Sequence, residues 1–111
     1  MAFLALASQK SLLTLQKNFL QFQQISIMNQ IQFAENMMAA RQKLYADRED
    51  GADCTEDADF IMYQDLDNQL QTEKESIESQ ITAIENEISG LKTLVNNNIK
   101  SSCTLNLASG G

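Results

Sequence analysis

The sequence predicts an all-α fold: an antiparallel two-helix hairpin of coiled-coil type, packing in an oligomeric helical bundle. Three observations predict it. The 111 residues contain no proline and only four glycines, so long runs meet no helix breaker. From Ile77 onward apolar residues recur at steps of four, three, four, three, four through Ile81, Ile84, Ile88, Leu91 and Val95. That is the period of about 3.5 residues that marks a coiled-coil seam. One acidic stretch, DREDGADCTEDAD at residues 47–59, is the only strong break. A chain of this length holds one domain at most.

Residues 1–48 are expected to form one long amphipathic helix. At 100° per residue, Leu12, Leu13, Leu15, Phe19, Leu20, Phe22, Ile27, Ile31, Phe33, Ala34, Met37, Met38, Leu44 and Tyr45 gather on roughly half the circumference. Thr14, Lys17, Asn18, Gln21, Gln32, Glu35, Asn36, Gln42 and Lys43 take the other side. Such a face is wider than one partner helix covers. Phe19, Phe22, Ile31, Phe33, Met37 and Met38 are therefore the expected assembly or partner face.

Residues 49–55 form the expected turn. Gly51 is read as the stop of helix one, and Thr55 as the cap of helix two, with Glu56 and Asp57 in its first turn. A turn this short returns the second helix antiparallel. That brings Arg41, Lys43 and Arg48 towards Asp57, Asp59 and Asp65. A calcium loop is excluded: with Gly51 at the sixth position of the EF-hand pattern, Ala46 and Arg48 fall where ligands are needed. Helix two is expected over residues 56–99, its seam made by Leu70, Ile77, Ile81, Ile84, Ile88, Leu91 and Val95. Gly90 within it marks a solvent position or a close helix approach. Residues 100–111 read as a frayed or disordered tail, with Leu105 and Leu107 as a docking strand.

Charge supports the pairing of the halves. Residues 1–48 carry Lys10, Lys17, Arg41, Lys43 and Arg48 against Glu35 and Asp47, while residues 56–95 carry ten acids against Lys74 and Lys92. The net charge of −7 argues against a nucleic-acid partner. The polar side of helix one is rich in Gln and poor in bases, which argues against a membrane surface. There is no run of the roughly 20 apolar residues that a membrane span needs. The opening MAFLALA lacks the basic start of a cleaved signal, so the expected location is cytoplasmic, or exported without a cleaved signal peptide.

Chemistry finds little purchase. There is no histidine, no CxxC and no Gly-rich phosphate loop. Glu85 with Glu87, and Asp65 with Asp67, are two residues apart and point to different faces of a helix. No catalytic residue, metal ligand or cofactor is expected. Cys54 and Cys103 read as free thiols that a hairpin keeps apart.

In outline, a hairpin of two long helices with a short polar turn resembles small proteins of bacterial secretion machines. These include type III needle and filament subunits, ESX-type secreted hairpins, and flagellar export chaperones and stalk proteins. The resemblance implies export without a cleaved signal and action by assembly; it carries over no functional residue. Two functions are therefore expected: a structural subunit that self-associates into an oligomer or filament, or a small chaperone or adaptor that binds a partner helix.

Overall fold

A computed structural model describes the backbone of residues 2–110 and the side chains of residues 4–97, 99 and 100. The chain is an all-α helical hairpin, with no strand among the described residues. Helix α1 spans Ala2–Ala46, a single 3-10 turn spans Cys54–Glu56, and helix α2 spans Ala58–Gly110. Two compact units share these helices. One is residues 22–78 and contains the turn; the other joins residues 1–21 to residues 79–111.

In the turn unit the helices run antiparallel. Gln24 lies beside Glu78, Phe33 beside Tyr63, and Arg41 beside Asp57, so positions rise on one helix as they fall on the other. The core is thin. Ile27, Ile31 and Ala34 of α1 are buried against Phe60, Leu70 and Ile77 of α2. The covered positions of α1 here include a row of Gln24, Ile27, Ile31, Ala34, Met38, Arg41 and Tyr45, at steps of three and four. This is a heptad seam whose outer members are polar.

The second unit repeats the antiparallel pairing, with Lys17 Nζ 3.5 Å from Glu85. Its covered positions on α1 are Leu6, Lys10, Leu13, Lys17 and Leu20. On α2, Ile81 is buried, whereas Ile84, Ile88, Leu91 and Val95 are only half-buried. Two lysine stems along the α1 seam cover less apolar surface than two leucines would, which leaves that part of the seam partly wet.

The turn differs from its sequence reading in two details. α1 ends at Ala46, well before Gly51. The Asp47 and Arg48 amides donate to the Lys43 and Tyr45 carbonyls, both at 3.2 Å, tightening the last turn and satisfying its carbonyls. Gly51, at φ +70°, instead lets the chain reverse inside the loop. The cap of α2 is Asp57 rather than Thr55. The Asp57 carboxylate accepts from the Phe60 amide at 2.9 Å, and its carbonyl accepts from the Ile61 amide at 3.0 Å. Thr55 is drawn into the 3-10 turn, where its amide donates to Asp53 at 3.0 Å.

At the other end, α2 continues to Gly110 instead of stopping near Ile99. Residues 100–109 contain neither proline nor glycine, so nothing sterically forces an end before Gly110. The helical backbone there excludes a docking strand at Leu105 and Leu107. The side chains of residues 101–111 lie outside the described residues, and with them the expected separation of Cys103 from Cys54. Cys54 itself is a half-buried free thiol.

Two mutational outcomes follow. Ile81→Ala is expected to cost about 2–4 kcal/mol, Ile84→Ala less, and Glu87→Ala within about 0.5 kcal/mol of nothing; equal losses at Ile81 and Glu87 in denaturant titrations would refute the seam. Gly90 and Gly51 both have open space where a Cβ would sit, but only Gly51 has a positive φ. Gly90→Ala should therefore raise stability by about 1 kcal/mol, and Gly51→Ala lower it by about 1–2 kcal/mol, a difference of sign readable in thermal melts.

Candidate assembly surface

A coiled-coil hairpin covers one stripe of each helix, and α1 carries two. In the turn unit the covered row of α1 is the one centred on Ile27 and Ile31. A second row, Phe22, Ser26, Asn29 and Phe33, also steps by four, three, four. In heptad terms it lies about 150° around the helix from the first. Phe22 is 70% exposed and Phe33 is 55% exposed. With Ile25 and Gln30, this row lines a shallow groove of about 430 Å³. The Ser26 hydroxyl accepts from Gln30 Nε2 at 3.3 Å across its floor. Phe33 is held by one edge-on contact, its ring 6.0 Å from Tyr63 at an interplanar angle of 80°. In the other unit Leu12, Leu15 and Phe19 are likewise exposed, at steps of three and four.

The expected partner face therefore divides. Phe19, Phe22 and Phe33 are exposed, Met37 and Met38 are half-buried, and Ile31 is buried against α2 and unavailable to a partner. The expected seam of α2 is brought together in two grades: Leu70, Ile77 and Ile81 are buried, and Ile84, Ile88, Leu91 and Val95 are half-buried. Lys17, placed on the polar side by the sequence reading, sits half-buried beside Glu85. The signal that finds it is the strict heptad through Leu6, Lys10, Leu13, Lys17, Leu20, Gln24 and Ile27, which appears only when polar residues are admitted to the seam.

The densest polar cluster lies at the turn. Asp57 accepts from Arg41 Nε at 3.1 Å and from an Arg41 terminal nitrogen at 2.6 Å, and also from the Tyr45 hydroxyl at 2.9 Å. Its carboxylate thus serves both helices at once while capping α2. The Arg41 guanidinium, then the Phe60 amide, hold the Asp57 carboxyl well below the usual carboxylate range. Donation of its own hydrogen bond to Asp57 pushes the Tyr45 hydroxyl up. Asp50 is lowered by the Ala52 amide and by Arg48, and Asp53 by the Thr55 amide. Arg48 also lies over the Tyr45 ring, 4.9 Å from its centroid. Of the cations expected near Asp57, Asp59 and Asp65, Arg41 meets Asp57, while Arg48 turns to Asp50.

These acids are occupied in folding the turn. Among the described residues no three His, Cys, Asp or Glu side chains are placed to hold a metal ion. No described helix is long and apolar enough to cross a membrane. What the surface offers chemically is apolar contact and amide or hydroxyl hydrogen bonding along the outer row of α1.

Because the folded-state pKa of Asp57 is depressed, its contribution to stability is present above the unfolded value of about 3.9 and is lost as pH falls below it. Asp57→Asn should lower the melting temperature at pH 7 and flatten the further loss between pH 5 and pH 3. A variant whose melting temperature falls with acid as steeply as the wild type would remove Asp57 from this role. Asp50 and Asp53 should leave a residual slope in either case. Comparison with family models, with curated proteins and with solved structures finds no match to this chain.

Proposed function

We propose that this chain is a non-enzymatic assembly protein, a helical hairpin that works by associating with copies of itself. One observation carries the reading: the outer row of α1, with Phe22 and Phe33 flanking Ser26 and Asn29, is uncharged, heptad-spaced and left uncovered by α2. Isolated exposed apolar residues need no explanation, but a row at coiled-coil spacing is the surface another helix packs on. Of the acids at the turn, Asp50, Asp53 and Asp57 are engaged in capping and ion pairing. The outline shared with the hairpins of bacterial secretion machines, which act by assembling, supports the same reading. An adaptor that holds another protein's helix would use the same row.

The test is molecular mass by light scattering over a concentration series. Wild-type protein should gain mass with concentration. Phe22→Gln combined with Phe33→Gln should shift it at least several-fold in concentration towards monomer, with helicity by circular dichroism retained. If the wild type stays monomeric at every concentration, self-association is wrong and the adaptor reading takes its place. A double variant with wild-type mass would move the assembly surface elsewhere.

A further inference from the structure

The row Phe22, Ser26, Asn29, Phe33 reads the same in both directions: a large ring, two small polar residues, a large ring, spaced four, three, four. Such a row is complementary to its own reverse. We infer that a second copy of this chain docks on it antiparallel, about a two-fold axis passing between Ile27 and Met28, which rests on the self-association proposed above. Under that axis Phe22 meets Phe33 of the second copy, twice, and Ser26 meets Asn29 of the second copy, twice. A two-fold interface is required to be self-complementary in this way.

The chemistry of the central layer fits. Ser26 already accepts from Gln30, which leaves its own hydroxyl hydrogen to donate to a further acceptor. The Asn29 side-chain carbonyl of the second copy supplies one. A small polar layer flanked by aromatic layers costs some affinity and fixes register, because sliding by one heptad either way would strand Asn29 against a ring, Phe19 or Phe33 of the second copy.

A parallel, in-register pair would also match ring with ring, and charge decides against it. Residues 47–59 carry seven acids against Arg48 alone. Parallel packing would set two such turns side by side at a helix spacing of about 8–10 Å, close to the screening length of about 8 Å at physiological salt. Antiparallel packing moves them roughly 60 Å apart, since each turn begins about twenty residues from the axis at 1.5 Å per residue. Helix dipoles also oppose favourably in that arrangement.

The test is a disulfide trap on protein with Cys54→Ser and Cys103→Ser. One batch carries Ser26→Cys and another Asn29→Cys, both at exposed positions, and circular dichroism checks that each folds. Under mild oxidation the mixed batches should give a covalent dimer in at least fivefold excess over either batch alone. Its mass should identify one chain of each batch, bridged from position 26 of one to position 29 of the other. Dominant dimers from either batch alone would mean parallel packing and overturn the inference. So would a dimer seen by light scattering with no covalent product in any batch; in both cases self-association itself would stand. A wild type without any concentration-dependent mass would remove both readings together.

Discussion

Two helices lying against each other can hide only one stripe of each. Everything else in this chain depends on that limit. The α2 sequence accepts it: outside Leu70, Ile77 and Ile81 and their half-buried successors, its residues are mostly Glu, Gln, Ser, Thr and Asn. The α1 sequence does not, because it keeps leucine and phenylalanine on a second side. No large side chain is fully buried among the described residues, the deepest position being the small Ala34. A hairpin with so thin a core has little stability to spare, so a further helix on the outer row would add apolar burial that the monomer lacks.

At the turn the limit is met differently. With few apolar contacts to fix where α2 begins, one carboxylate does the positioning. Asp57 caps its own helix through the Phe60 amide and binds Arg41 and Tyr45 of the preceding helix. Capping fixes the first turn of α2, and the bidentate arginine pair fixes the angle at which that turn meets α1. Phe60, the residue whose amide is capped, is buried at 3% exposure, so backbone and core contacts are set by the same three residues. Three of the seven acids of this segment, Asp50, Asp53 and Asp57, therefore have a structural explanation in caps and ion pairs.

The fold class was legible because the α2 seam is written in isoleucine and leucine at strict heptad spacing. The face of α1 was only half legible, and the reason is geometric. A wheel drawn at 100° per residue drifts about 20° in each heptad relative to a coiled coil. Over the length of α1 that drift widens both rows until they abut, so Ile31 and Phe33, about 160° apart, count as the two edges of one face although one is buried and the other exposed. Lys17, read as part of the polar side, hid the seam further, and Lys10, Gln24 and Arg41 join it only when polar residues are admitted. The cap was missed for a local reason: Thr55 and Asp57 are both good capping residues, and only the 3-10 turn that consumes Thr55 decides between them.

The two rows of α1 also differ in charge, and the difference follows their partners. The row facing α2 carries Lys17 and Gln24, which lie beside Glu85 and Glu78. Half-exposed pairs like these are worth at most about 1 kcal/mol each, but they discriminate. A wrong helix, or α2 slipped by half a heptad, would leave lysine against an apolar position. The outer row, Phe22, Ser26, Asn29 and Phe33, carries no charge at all. On a chain of net charge −7, copies repel wherever their acids approach within a screening length. An uncharged row on a helix that holds four cations against Glu35 alone is the surface on which two copies meet with least repulsion. Charge thus selects the intramolecular partner of α1 on one side, and its absence on the other leaves apolar contact to select the next.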